Sequence, residues 1–165
     1  MVDGNYYIQE NEEKVNFINN FFLSHNNLDT SNAVLPPEIP AQNEGISHIE
    51  ATEDDIEDLI KALDSNKATG PDGVSPKLIK EAGKSLVPSL TKLINLSLRT
   101  SLVPSQWKKA NVLPLFKKGS KSDVNNYRPV SILPAPSKIL EKIVLKKVYN
   151  YFRDHNVLTK HQSGF

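Results

Sequence analysis

The sequence predicts an α+β fold that is mostly helical and carries one small antiparallel β hairpin. Two patterns lead there. Between residues 52 and 101, and again between 137 and 152, apolar side chains recur every three or four positions, the period of a helix with one buried face. Two short apolar runs, "VLPLF" and "YRPVSI", flank the ten-residue polar connection "KKGSKSDVNN", as strands flank a hairpin loop.

Taken in order, "EEKVNFINNFFLSH" spaces Val15, Ile18 and Phe22, with Phe17 and Phe21, as an amphipathic helix with an aromatic face. The proline- and asparagine-rich stretch that follows has no periodicity and reads as a tether. Thr52 is a helix N-cap, and Glu53, Asp54 and Asp55 complement the helix dipole in the first turn. Ile56, Leu59, Ile60 and Leu63 then form one stripe. "TGPDG" is a turn, with Pro71 presetting φ and Gly73 free to take the exit. Ser75 and Pro76 start a helix that ends near Gly83. A further helix spans about Pro88 to Ser101, with Leu90, Leu93, Ile94, Ser97 and Leu98 toward the core. Pro114 and Pro129 keep the hairpin strands from being fully bonded central strands, so the hairpin is an edge or bulged one. The last helix, from about residue 137, buries Ile139, Leu140, Ile143, Val144, Val148 and Phe152. The expected organisation is an N-terminal helix and linker over residues 1–51 and a second region over 52–165.

The formal net charge of +1 hides a segregation of sign. Residues 1–64 hold 2 basic and 14 acidic residues, a net of −12, whereas residues 65–165 hold 18 basic and 5 acidic residues, a net of +13. A basic segment of that length suits a polyanion, although a lysine-rich solvated helical surface gives the same count. The absence of cysteine excludes disulfides, thiolate zinc sites and cysteine nucleophiles. No run reaches the roughly 18 apolar residues of a membrane span, and no secretory signal opens the chain, so a nuclear or cytoplasmic protein is expected.

Conventional catalytic patterns are missing from the residues. No nucleophile elbow, phosphate-binding loop or dinucleotide fingerprint occurs, and His155 and His161 lack a carboxylate at ligand spacing. Asp54, Asp55 and Asp58 are dense enough to suggest metal ions, but their place at a helix start explains them. Lys117 and Arg128 stand apart, because a hairpin can put both on one side with Lys118 and Lys121 in the loop between. Such a pair suits a triphosphate, the arginine as a planar fork and the lysine as a point charge. The bland alternative, loop lysines for solubility, stays open at this level.

"NKATGPDGVSPKLIK", "VPSQWKKANVLPLFKKGSKSDVNNYRPVSILPAPSKILEKIV" and "LTKHQSGF", in this order, resemble the fingers region of reverse transcriptases from non-LTR, LINE-type retrotransposons, particularly the jockey-like lineages. The resemblance covers about residues 52–165 and implies the fingers part of a right-hand polymerase. It implies that Lys117 and Arg128 contact the triphosphate of an incoming deoxynucleotide. It places Trp107, Lys108 and Lys109 beside the template path, and Lys67 with the turn Gly70–Gly73 in a segment that grips RNA. Gly164 and Phe165 match the start of the palm. In that family the two-metal aspartates lie in Phe-x-Asp and Tyr-x-Asp-Asp motifs, which this sequence lacks, so the expectation is a fragment without catalytic residues, metal site or cofactor of its own. Mg2+ is expected only for a full-length enzyme, whose partners are RNA template, DNA primer and dNTP. The alternative is a non-enzymatic basic nucleic-acid-binding module derived from a retrotransposon. Exposed apolar faces on helices 76–101 and 137–152 are expected if the polymerase context is absent.

Overall fold

The computed structural model describes residues 1–3, 6–25, 34, 45–46, 48–155 and 158. Five helices and four short strands are formed among them: β1 (Val2–Asp3), β2 (Tyr6–Tyr7), α1 (Asn11–Ser24), α2 (Glu53–Lys61), α3 (Pro76–Ala82), α4 (Val87–Thr100), β3 (Asn111–Phe116), β4 (Tyr127–Ile132) and α5 (Ala135–Asp154). The mostly helical α+β class therefore holds, with β3 and β4 as a two-stranded antiparallel pair. β1 and β2 form a second antiparallel pair that the sequence pattern does not predict. Most of the tether and most of "LTKHQSGF", with His161, Gly164 and Phe165, lie outside the described residues.

The chain divides into two compact units: Met1–Pro40 with Val112–Ser131, and Ala41–Asn111 with Ile132–Phe165. The second unit holds the main core. Ile56 and Ile60 of α2, Ile94 of α4 and Ile139 and Ile143 of α5 are almost wholly removed from water. Each such side chain contributes about 1.5–3 kcal/mol by burial.

The local signals work as the sequence predicts at several ends. Thr52 Oγ1 accepts from the Asp55 amide at 3.1 Å while Asp55 Oδ2 accepts from the Thr52 amide at 3.3 Å, a reciprocal capping box that starts α2. Ser75 Oγ accepts from the Leu78 amide at 3.1 Å ahead of Pro76, starting α3. At "TGPDG" the Gly73 amide donates to the Gly70 carbonyl at 3.2 Å, and Gly73 has φ +72. Gly70 is required for another reason: a Cβ there would lie 2.6 Å from the Pro134 nitrogen, so the turn packs backbone to backbone on the residues that lead into α5.

Two longer bonds fix the connections. The Asn95 side chain takes both backbone groups of Ala51, accepting from its N–H at 2.8 Å and donating to its carbonyl at 2.9 Å. Lys80 Nζ donates to the Leu63 carbonyl at 2.9 Å beyond the end of α2.

Three expectations need correction. Leu93 is 41% exposed, because the buried stripe of α4 runs through Val87, Leu90, Thr91, Ile94 and Ser97 and leaves Leu93 on its flank. Phe152 is 36% exposed, because the packed cluster along α5 ends at Val144. Trp107, expected beside a template path, is buried in the core from a 3₁₀ turn at Ser105–Lys108.

Candidate nucleic-acid interface

The loop between β3 and β4 is held by its own polar groups. The Lys117 amide donates to the Asn126 carbonyl at 2.8 Å and closes the hairpin. Asn126 Nδ2 reaches back to the Ser120 carbonyl at 3.0 Å, and the Tyr127 hydroxyl donates to the Lys121 carbonyl at 2.9 Å. Asp123 Oδ1 accepts from the Asn125 amide at 2.9 Å and from Asn125 Nδ2 at 2.8 Å, forming an Asx turn. Gly119 has φ +89, and a Cβ on it would meet the Asn126 side chain at 2.7 Å, so only glycine fits this corner. Val124 is buried beneath.

Those contacts decide where the cations point. Phe116 and Tyr127 face each other across the strands with ring centroids 5.5 Å apart, and Lys121 Nζ stands 5.9 Å from the Phe116 centroid on the same side. Alternation then sends Lys117 and Arg128 together to the opposite face, with Leu113, Leu115 and Val130. All three of these apolar residues are exposed. That face of the hairpin is uncovered among the described residues, and Lys117, Lys118, Lys121 and Arg128 are all exposed.

Ion pairing separates two populations of basic residues. Lys146 and Lys147 of α5 both reach Asp55, at 2.7 and 3.4 Å, and Lys61 and Lys84 share Glu57, at 2.7 and 3.5 Å. The Lys146 ammonium and the capping contacts hold the Asp55 carboxyl well below the usual carboxylate range. Asp55 therefore does more than complement a dipole. Among the described residues Lys117, Lys118, Lys121 and Arg128 form no ion pair.

The other predicted contacts sit in the second unit. Lys108 and Lys109 are exposed at the end of the 3₁₀ turn, turned outward as Trp107 plugs the core. Lys67 is exposed, its Nζ 3.9 Å from Asp64, at the rim of a cleft of about 340 Å³ floored by Leu59, Leu63 and Ile139. Lys138 and Lys142 of α5 line the same cleft, and sequence reading missed them because only the folded chain brings α5 to the end of α2. Among the described residues no group of three or more His, Asp or Glu side chains gathers.

No family model matches the chain. Curated proteins do. The probable RNA-directed DNA polymerase from transposon BS of Drosophila melanogaster is 30% identical over 113 residues, 68% of this chain and 12% of that protein. The RNA-directed DNA polymerase from mobile element jockey of the same fly is 30% identical over 115 residues, 69% of this chain and 13% of that protein. The chain is related to the RNA-directed DNA polymerases of jockey-like, non-LTR mobile elements. A retrovirus-related Pol polyprotein from the type-1 retrotransposable element R1 of Bradysia coprophila extends the relationship, at 27% identity over 106 residues, 63% of this chain and 11% of that protein. The match to the jockey-like polymerases spans about an eighth of their length. No helix among the described residues is long and apolar enough to cross a membrane.

Proposed function

We propose that this chain is a fingers portion of a mobile-element RNA-directed DNA polymerase that binds and positions nucleic acid and nucleotide. Lys117 and Arg128 contact the triphosphate of a deoxynucleotide. Lys118 and Lys121, with Lys67, Lys108 and Lys109, contact the backbone of RNA template or DNA primer. The observation that carries the reading is the loop "KKGSKSDVNN" and its flanks: four exposed cations without an ion pair among the described residues, on a loop braced by Asn126, Tyr127 and Asp123, in a chain related to polymerases. A solubilising surface needs no such bracing, whereas a phosphate site gains from donors held in place.

The work of these residues is charge stabilisation and orientation. A charge-assisted hydrogen bond from Arg128 or Lys117 to phosphate is worth roughly 1.5–3 kcal/mol. The experiment is filter binding of a single-stranded RNA oligonucleotide at low and at high salt. Binding that weakens steeply with salt is expected, and salt-independent retention or none overturns the reading.

A further inference from the structure

The first unit contains a cleft that the hairpin reading does not use. It measures about 350 Å³ and lies between the end of α1 and β4. It is lined by Phe21, Phe22 and His25 at the end of α1 and by Asn125, Tyr127, Arg128 and Pro129 of the hairpin. The Phe21 ring lies 4.5 Å from the His25 ring and 5.9 Å from the Phe22 ring, centroid to centroid. Both phenylalanines are half-buried, and His25 Nδ1 lies 2.8 Å from the Phe21 carbonyl. Among the described residues no carboxylate lines the cleft.

We infer that this cleft is a stacking subsite for one base of single-stranded nucleic acid. The inference rests on the nucleic-acid reading of the hairpin and gives α1, in the N-terminal region, a part in it. The occupant follows from the chemistry of the lining. Aromatic faces accept a planar ring whatever its hydrogen-bond pattern, and the guanidinium, which has no ion pair among the described residues, favours an anionic chain over a neutral one. An apolar peptide would leave Arg128 without a counter-charge, and a duplex keeps its bases inside the stack.

The test uses the whole chain and two 12-nucleotide single-stranded probes, one oligo(dA) and one abasic strand of equal charge, read by fluorescence anisotropy across a salt series. Wild type is expected to bind oligo(dA) about tenfold or more tightly than the abasic strand. The double variant Phe21→Ala, Phe22→Ala is expected to bind both strands alike with the salt slope unchanged. α1 has no fully buried residue and contributes none to the main core, so the variant keeps the fold, which circular dichroism checks. A 2-aminopurine placed in the strand is expected to be quenched by wild type and not by the variant. Equal wild-type affinity for the two strands, or a base preference that survives the double substitution, overturns the subsite while leaving salt-dependent binding in place. Absence of salt-dependent binding to either strand overturns the hairpin reading and the subsite together.

Discussion

Lys146 Nζ donates to Asp55 Oδ1 at 2.7 Å, joining α5 to the first turn of α2 across 91 positions of sequence. The same carboxylate closes the capping box with Thr52 and lies 3.4 Å from Lys147 Nζ. One side chain therefore fixes both the start of a helix and the helix packed beside it.

Asp55→Ala is expected to destabilise the fold by about 1–2 kcal/mol. This combines the lost bond from the Thr52 amide to Asp55 Oδ2 with the lost ion pairs to Lys146 and Lys147, each worth at most about 1 kcal/mol. Thr52→Ala is expected to cost about 1 kcal/mol, because it removes the cap and leaves the Lys146 bond. Urea denaturation of the two variants separates the contributions.

The pH dependence has a definite sign. The folded Asp55 carboxyl has its pKa lowered, first by the Lys146 hydrogen bond and then by the contacts with Thr52. A depressed carboxylate pKa gives stability that is complete above the unfolded value of about 4 and lost as pH falls below it. Wild type is expected to lose stability between about pH 5 and pH 2, and Asp55→Asn to show a smaller loss in that window. Thermal melts at pH 7, 4 and 2.5 check this.

The two glycines of "TGPDG" are expected to differ sharply. Gly70→Ala places a Cβ 2.6 Å from the Pro134 nitrogen, against backbone that cannot swing away, and is expected to cost about 2–3 kcal/mol or more. Gly73→Ala meets nothing within 4 Å and suffers only from its positive φ, about 1 kcal/mol. Thermal or denaturant unfolding ranks them, and equal effects would contradict the close backbone approach.

Asn126→Ala removes the side-chain bond to the Ser120 carbonyl inside an exposed loop. Global stability is expected to change by less than about 1 kcal/mol, because the main core lies in the other unit. Nucleic-acid affinity is expected to fall severalfold, because Lys118 and Lys121 are no longer held by the braced loop. Unfolding and filter binding on one preparation read both effects.

Features whose causes are local were legible in the sequence. Thr52, Ser75 with Pro76, and Gly73 act within a few residues of themselves, and each sits where its signal predicts. The hairpin was legible too, since turn residues between apolar runs are a short-range pattern. Non-local features were hidden. Nothing near Asp55 announces Lys146, and nothing local to Trp107 announces that it is buried in the core. Two-residue strands such as β1 and β2 are too short to show a period. Lys117 and Arg128 stood out by residue type, but the loop bracing and the cleft with Phe21 and Phe22 exist only in three dimensions.

The central claim is that Lys117 and Arg128 meet phosphate. The two are assigned to the triphosphate of a deoxynucleotide, and the affinity of wild type and of the double variant Lys117→Ala, Arg128→Ala for a deoxynucleoside triphosphate measures this without an intermediary. Each lost charge-assisted hydrogen bond costs roughly 1.5–3 kcal/mol, so the double variant is expected to bind about a hundredfold more weakly, or worse, with the fold intact. Equal affinity in a folded double variant, or no binding by wild type, would contradict the assignment.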